Sequence, residues 1–197
     1  MKSKWLFIGL ILLYLIPSFS FDFLFDFWQV GLTPYLFELF FILIAISIFK
    51  NKFKITSANG KTKHYLRYLA GGFITIIFCK LFGTKIPFDL NSGGIIVLLI
   101  LIAPLLEELI FRFSLWQCFE SLDKTKKYAL IFTSSLFSLA HFKSVLLIAP
   151  GFLTFVTFQS VYTLILGHRL GLRYQKNRNV LEVIILHMLF NLGFLIG

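Results

Sequence analysis

The sequence predicts an all-α polytopic membrane protein with about seven transmembrane helices, and three observations support this fold class. Hydrophobic residues make up 58% of the 197 positions, and the mean hydropathy is +0.86. The 26 phenylalanines are more than the core of one soluble domain normally holds. The apolar residues also fall into separate runs of about 16 to 25 residues, near the length that crosses a bilayer. We therefore expect no soluble domain.

The apolar runs define the predicted elements in chain order. The first run follows a short basic start and lacks a small-residue cleavage site, so we expect a retained span and not a removed signal peptide. We predict one integral membrane domain over 1–197, with three motif-free spans and a basic loop in 1–93 and a catalytic four-span core in 94–197. The predicted spans are Trp5–Phe21, Pro34–Phe49, Leu66–Phe82, Gly94–Cys118, Tyr128–Ala149, Gly151–Gly167 and Val180–Ile196.

The basic residues predict a cytoplasmic N-terminus. With that orientation, 15 of the 19 basic residues lie on the cytoplasmic side, as the positive-inside rule requires. The net charge of +10 then belongs to loops, so we expect the lipid bilayer and not nucleic acid as a partner. Cys79 and Cys118 lie in or beside apolar runs and predict no disulfide. The 15 residues are Lys2, Lys4, Lys50, Lys52, Lys54, Lys61, Lys63, Arg67, Lys124, Lys126, Lys127, Arg169, Arg173, Lys176 and Arg178.

The fourth span carries three ionisable residues, Glu107, Glu108 and Arg112. Each such group near the bilayer centre costs about 3 kcal/mol on insertion scales, so the cluster needs a structural or chemical reason. Glu108 and Arg112 are four residues apart and share a helix face, which predicts an ion pair. Glu107 is turned away by about 100° and is left for chemistry. Pro104 removes a backbone donor, which frees the Ile100 carbonyl and predicts a bend near Glu107.

Two other spans carry polar side chains at comparable depth. Phe137 and His141 are four residues apart in span five, and His187 and Asn191 have the same spacing in span seven, so each pair shares a helix face. At about 1.5 Å per residue, these polar groups and Glu107 lie about 10 to 20 Å from the cytoplasmic ends of their spans. We expect them to converge in one cavity that opens toward the cytoplasm.

This set of side chains favours a hydrolytic site. A carboxylate and an imidazole can orient and deprotonate a water, and a second imidazole with an amide can donate to the developing oxyanion. Alternatively, Glu107, His141 and His187 are able to hold a divalent metal such as zinc, although no HExxH is present and asparagine is an unusual zinc ligand. We favour the metal-free arrangement. A serine nucleophile near His141 is disfavoured because the sequence has no GxSxG elbow.

The ordered motifs Glu-Glu-x-x-x-Arg at 107–112, Phe-x-x-x-His at 137–141 and His-x-x-x-Asn at 187–191 resemble the CPBP family. These are the CAAX-protease and bacteriocin-processing intramembrane endopeptidases, also called the Abi family. The resemblance covers roughly Leu98 to Ile196 and implies a helical intramembrane peptidase. In the implied site, one Glu and one His activate the water, and a second His with an Asn stabilises the oxyanion. The implied catalytic residues are Glu107, His141, His187 and Asn191, supported by Glu108, Arg112 and Phe137.

The resemblance also bears on partners and alternatives. The apolar walls of the site lead us to expect an amphipathic or lipidated peptide that enters laterally as the substrate. The short chain rich in Phe, Ile and Lys favours a bacterial member of the family in the cell membrane. Two other functions stay open. One is a non-enzymatic bacteriocin self-immunity or scaffold protein that keeps the same motifs, and the other is a transporter or proton relay. The sequence offers little for the transporter, because it shows no paired broken helices or inverted halves.

Overall fold

The computed structural model describes residues 4–25, 33–53, 56, 62–122, 126–143 and 150–197. Within these ranges the chain is helical and contains no strand, which agrees with the predicted all-α class. Short 3₁₀ turns at Lys50–Lys52 and Pro150–Phe152 flank longer helices. The seven helices of these ranges are α1 (Lys4–Phe25), α2 (Thr33–Ile48), α3 (Thr62–Leu81), α4 (Gly93–Leu122), α5 (Lys126–Phe142), α6 (Leu153–Asn177) and α7 (Val180–Ile196).

Two helical segments of the described chain, Gly93–Leu122 and Pro150–Asn177, are long and apolar enough to cross a membrane. Three shorter stretches, Lys4–Ser20, Pro34–Ile48 and Val180–Ile196, form apolar helices of 10–17 residues. The count of seven transmembrane helices and the cytoplasmic N-terminus stay predictions, because neither follows from helix length and composition alone. Among the basic residues that predict the orientation, four lie outside the described residues: Lys2, Lys54, Lys61 and Lys124.

The largest differences from the predicted spans are at the ends of helices α5 and α6. Helix α5 ends at Phe142, whereas the predicted span continued to Ala149, and residues 144–149 lie outside the described residues. Helix α6 continues beyond the predicted end at Gly167 to Asn177. Hydropathy missed this extension because its basic side chains lower the average, although apolar side chains such as Leu170 are fully buried in the core.

Helix α4 forms the centre of the bundle. Every residue from Ile110 to Cys118 is buried, because this mainly apolar stretch is covered by other helices on all sides. Two π-helical segments, Leu98–Ile102 and Leu109–Leu115, interrupt the α-helical hydrogen bonding on either side of Glu107. Such segments are rare, change the direction of the side chains that follow, and occur frequently at functional sites.

Helices α3 and α7 approach each other closely through glycine. A Cβ atom at Gly72 would lie 1.8 Å from the Phe190 carbonyl oxygen, and one at Gly193 would lie 2.0 Å from the Leu69 carbonyl oxygen. Residues without a side chain permit this backbone contact, as at other small-residue interfaces between apolar helices. The two glycines therefore set the position of α7, the helix that carries His187.

Helices α1 and α2 pack on α4 through aromatic side chains. The Tyr14 ring contacts Phe41 and Phe111 at centroid distances of 5.1 and 5.9 Å, and Phe7 stacks on Phe49 at 5.7 Å. Such aromatic pairs add about 0.5–1.5 kcal/mol each beyond the burial of their area. The motif-free first half of the chain therefore shares one hydrophobic core with the second half.

Candidate active site

Three helices place a carboxylate between two imidazoles. Glu107 lies near the middle of α4, His141 near the end of α5 and His187 in the middle of α7. One Glu107 carboxylate oxygen lies 3.8 Å from His141 Nε2, and the other lies 3.7 Å from His187 Nε2. The side chain of Glu107 is 24% exposed and that of His141 is 19% exposed, so water can reach them. Side chains far apart in sequence thus meet as the motifs predicted.

The other ring nitrogen of each imidazole is held by an acceptor. His141 Nδ1 donates to the Phe137 carbonyl oxygen at 2.9 Å, and His187 Nδ1 donates to a Glu108 carboxylate oxygen at 2.9 Å. Because a carbonyl or an ionised carboxylate only accepts, the proton of each ring is assigned to Nδ1. Each Nε2 atom is therefore left to interact with a molecule in the space beside Glu107.

Glu108 and Arg112 form the ion pair that their spacing predicts. Arg112 Nε lies 3.1 Å from Glu108 Oε2, and both side chains are fully buried. Arg112 Nη2 also donates to the Gly167 carbonyl oxygen at 3.2 Å, and the guanidinium lies 4.8 Å from the centre of the Phe137 ring. The two adjacent glutamates therefore differ in environment: a buried cation neutralises Glu108, whereas Glu107 faces the imidazoles.

The Phe137 ring is a packing surface for both imidazoles. Its centroid lies 4.9 Å from that of His141 and 5.7 Å from that of His187, with interplanar angles of 66° and 80°. Phe137 is itself fully buried. Edge-to-face contacts of this kind favour defined ring orientations, so Phe137 helps to hold both Nε2 atoms toward Glu107.

Asn191 reaches the backbone of α4. Its Nδ2 donates to the Leu99 carbonyl oxygen at 2.7 Å. In the π-helical segment before Pro104, each carbonyl oxygen accepts from the amide five residues later. The partner of the Leu99 carbonyl would be the nitrogen of Pro104, which carries no hydrogen. Asn191 therefore satisfies a carbonyl that Pro104 leaves without a helical donor. From the sequence we predicted that the unpaired carbonyl would be that of Ile100, because an uninterrupted α-helix pairs each carbonyl with the amide four residues later.

A small cavity of about 70 Å³ brings the four predicted catalytic residues together. Its lining contains apolar side chains of α4, α6 and α7 and the four residues Glu107, His141, His187 and Asn191. The amide nitrogen of Asn191 carries a second hydrogen that can be donated in this space. A polar space of this size holds at least one water molecule.

A second cavity, of about 360 Å³, adjoins Glu107 and His141. Its lining includes Tyr35 and Glu38 near the start of α2 and Lys143 just beyond the end of α5. These helix ends lie opposite to the basic ends of α3 and α6. This second cavity therefore lies toward the helix ends opposite to the basic ones, whereas we expected the site to open on the basic, predicted cytoplasmic side. The reason is that α5 ends directly after His141, on the other side of the bundle.

Sequence reasoning missed the contribution of the first half of the chain to this cavity. Tyr14, Tyr35 and Glu38 all line it, although residues 1–93 carry no motif. Glu38 is an ionisable residue within an apolar helix. We singled out Glu107 because an ionisable side chain inside an apolar helix is costly and needs a structural or chemical reason. The same rule would also have identified Glu38.

The side-chain arrangement was also compared with the metal and serine alternatives. Among the residues that the structure describes, no group of three or more His, Cys, Asp or Glu side chains is arranged to hold a metal ion. The Ser138 hydroxyl donates to the Ser160 carbonyl oxygen at 2.7 Å, so its hydrogen is not shared with His141. The carboxylate and the imidazoles are therefore the groups that the site offers for chemistry.

The fold and the site define a helical protein that holds a carboxylate and two imidazoles inside an apolar bundle. A family model described as type II CAAX prenyl endopeptidase Rce1-like matches residues 90–193. This match spans more than half of the chain, so the chain belongs to the Rce1-like family of membrane-embedded CAAX peptidases. No curated protein and no solved structure matches the chain. The resemblance of the three motifs to CAAX proteases is confirmed, and all of them lie within the matched range.

Proposed function

We propose that the chain is a multi-pass endopeptidase of a bacterial cell membrane in which Glu107 and His141 activate a water. His187 and Asn191 stabilise the oxyanion that forms from the peptide carbonyl. The observation that carries the proposal is the approach of both Nε2 atoms to the Glu107 carboxylate, at 3.8 and 3.7 Å. A water between these groups has an acceptor for each of its hydrogens, which orients its oxygen for attack.

The reaction follows from the positions of the protons. The water donates one hydrogen to Glu107 and the other to His141 Nε2, which accepts because the ring proton is on Nδ1. Glu107 takes its proton as the water oxygen attacks the carbonyl carbon. The protonated Glu107 then gives this proton to the amide nitrogen, the C–N bond breaks, and a carboxylic acid and an amine leave.

The oxyanion needs donors that face the same space. In this proposal His187 donates to the oxyanion from Nε2, and the contact of its Nδ1 with the Glu108 carboxylate holds the ring toward this space. The second Nδ2 hydrogen of Asn191 is the other donor. Removal of one such donor typically costs about 3–4 kcal/mol of transition-state stabilisation. Glu108 and Arg112 are positioning residues, because they hold His187 without contacting the substrate.

We propose a reaction that needs no metal. The zinc alternative uses Glu107, His141 and His187 as ligands, and the described side chains do not form such a cluster. Metal analysis of the purified protein, combined with cleavage in the presence of a chelator, tests this choice. One zinc ion per chain together with loss of cleavage in chelator would replace the metal-free reaction by the zinc alternative.

We propose an amphipathic or lipidated peptide as the substrate. The larger cavity beside Glu107 is lined by Phe19, Phe111 and Leu136 as well as by polar groups. Such a mixed lining suits a segment with both kinds of side chain. Lateral entry brings this segment to Glu107 directly from the lipid. Equal cleavage of peptides with and without an apolar segment would contradict this part of the proposal.

A comparison of peptide termini in membranes tests the proposal without a known substrate. Termini produced by the wild-type chain are expected to fall by at least about 100-fold with Glu107→Gln and with His141→Ala, because each change removes a group that binds the water. Asp89→Asn makes the same kind of change at an exposed loop carboxylate and is the matched control. It is expected to leave the termini unchanged.

The alternatives give different results in the same experiment. If both site variants insert normally and still produce the termini, this hydrolytic mechanism is wrong. A cellular effect that persists in Glu107→Gln without any change of termini would favour the scaffold or immunity function. Ion flux across liposomes that stops with Glu107→Gln would favour the transporter.

A further inference from the structure

A cleft of about 670 Å³ lies between α3, α6 and α7 at the basic side of the bundle. Cationic side chains surround its mouth, and mainly apolar and aromatic side chains surround its inner end. It is therefore polar at one end and apolar at the other, unlike the site cavities. The cations at the mouth are Arg67, Arg169, Arg173 and Lys176.

Most of this charge is not neutralised within the described part of the chain. Arg173 is paired with Glu182, whose carboxylate accepts from Arg173 Nε at 2.7 Å. Among the described residues, no carboxylate lies within 4.0 Å of Arg67, Arg169 or Lys176. Three cations at one mouth attract an anionic group, and their attraction is stronger where apolar walls exclude water.

The cleft follows one face of α6 from charged to apolar surface. The residues on this face recur every three or four positions along the helix: Lys176, Arg173, Arg169, Ile165 and Tyr162. At about 1.5 Å per residue, the face is about 21 Å long. Ile165 is 59% exposed, so the cleft is open sideways to the surroundings of the bundle. This shape fits a molecule with an anionic head and a long apolar chain.

We propose that the cleft binds an anionic phospholipid, with its phosphate at Arg67, Arg169 and Lys176 and an acyl chain along Ile165 toward Phe190. Basic groups at the cytoplasmic boundary of a membrane protein are typical contacts of anionic headgroups. Phe190 also lines the small cavity at Glu107, so the acyl chain contacts the rear of the site wall. The lipid is a bound ligand and not a substrate, and its binding does not depend on the peptidase function.

Lipid retention by the purified full-length chain tests this inference. The chain is reconstituted in vesicles of equal parts phosphatidylglycerol and phosphatidylcholine and extracted in mild detergent, and bound lipid is counted by native mass spectrometry. Phosphatidylglycerol is expected to exceed phosphatidylcholine by at least about tenfold. Arg67→Gln, Arg169→Gln and Lys176→Gln are each expected to lower its retention by about fivefold, the usual contribution of one basic residue at an anionic surface.

Two further variants make the test specific. Gly71→Leu fills the cleft with little strain on the backbone, because an added Cβ meets only the Phe190 ring, at 3.6 Å. It is expected to displace the acyl chain and lower retention without changing the net charge. The matched charge control combines Lys50→Gln, Lys52→Gln and Lys127→Gln, three exposed lysines on the same side of the bundle that do not line the cleft.

Loss of phosphatidylglycerol in the cleft variants, with retention in the triple-lysine control, supports the site. Equal retention of the two lipids would overturn the proposal, because the cleft would then not select for charge. Equal losses in the cleft and control variants would also overturn it, since the effect would be a general attraction. Complete displacement by inorganic phosphate would assign the cleft to a soluble anion instead.

Discussion

Glu107 and Glu108 are adjacent in the sequence, yet their side chains have opposite surroundings. Glu108 is fully buried between the Arg112 guanidinium at 3.1 Å and His187 Nδ1 at 2.9 Å. Glu107 is 24% exposed and faces two Nε2 atoms. One helical step of about 100° is enough to separate a buried, neutralised carboxylate from one that water reaches. The sequence predicted this division, because only Glu108 has a cation four residues away.

Replacing each glutamate by glutamine is expected to distinguish the residue that stabilises the fold from the residue that acts in catalysis. Glu108→Gln leaves the buried Arg112 cation without its carboxylate, and it should lower the free energy of unfolding by about 3–5 kcal/mol. Glu107→Gln removes no buried charge partner, so we expect a change of less than about 1 kcal/mol. Denaturant unfolding of the two purified variants in the same detergent measures the difference.

The double variant Glu108→Gln with Arg112→Leu is the control for this pair. Removing both members of a buried ion pair leaves no uncompensated charge, so the double variant should be more stable than Glu108→Gln alone. A Glu108→Gln protein as stable as the wild type would show that the ion pair does not stabilise the fold.

At the scale of elements, the sequence identified the helices more fully than the contacts between them. Apolar runs located each helix, since a helix in an apolar setting needs only a continuous set of apolar residues. The π-helical segments of α4 and the bond from Asn191 to Leu99 were missed. Both depend on how the backbone around Pro104 meets α7, and no local pattern encodes that contact. The end of α6 was missed because its charges line a cleft that forms only in the folded bundle.

The contact between α3 and α7 depends on Gly193. A Cβ atom there would lie 2.0 Å from the Leu69 carbonyl oxygen, which belongs to a helix backbone and cannot move alone. We expect Gly193→Ala to lower the free energy of unfolding by about 1–3 kcal/mol. Cleavage should fall by about 100-fold, because a shift of α7 by about 1 Å displaces His187 from its partners. Unfolding and terminus production, measured on the same variant, check both effects.

Gly9→Ala in α1 is the matched control, because an added Cβ there meets nothing within 4 Å. Alanine is the better helix former by about 0.5–1 kcal/mol, so this variant should be at least as stable as the wild type. If Gly193→Ala unfolds like Gly9→Ala, the close approach of α3 and α7 does not constrain the fold.

At the scale of the whole molecule, the basic cleft and the cavity beside Glu107 lie at opposite ends of the bundle. The sequence predicted the uneven charge, because basic residues in loops are read directly from their positions. It placed the opening of the site at the basic end, whereas the cavity beside Glu107 lies toward the other helix ends. The span that contains His141 was drawn to Ala149, whereas the helix ends at Phe142, so His141 lies closer to an end than its place in the predicted span indicated.

Thiol labelling can decide which end faces the cytoplasm. Cys79 and Cys118 are buried, so the wild-type chain should give a low background. If the basic end is cytoplasmic, Lys85→Cys at the cavity end reacts with a membrane-impermeant maleimide in intact cells, whereas Lys50→Cys reacts only in inverted vesicles. The opposite pattern would show that the basic loops do not set the orientation of this chain. It would also place the cavity beside Glu107 on the cytoplasmic side, so that the substrate would be sought among cytoplasmic and not exported peptides.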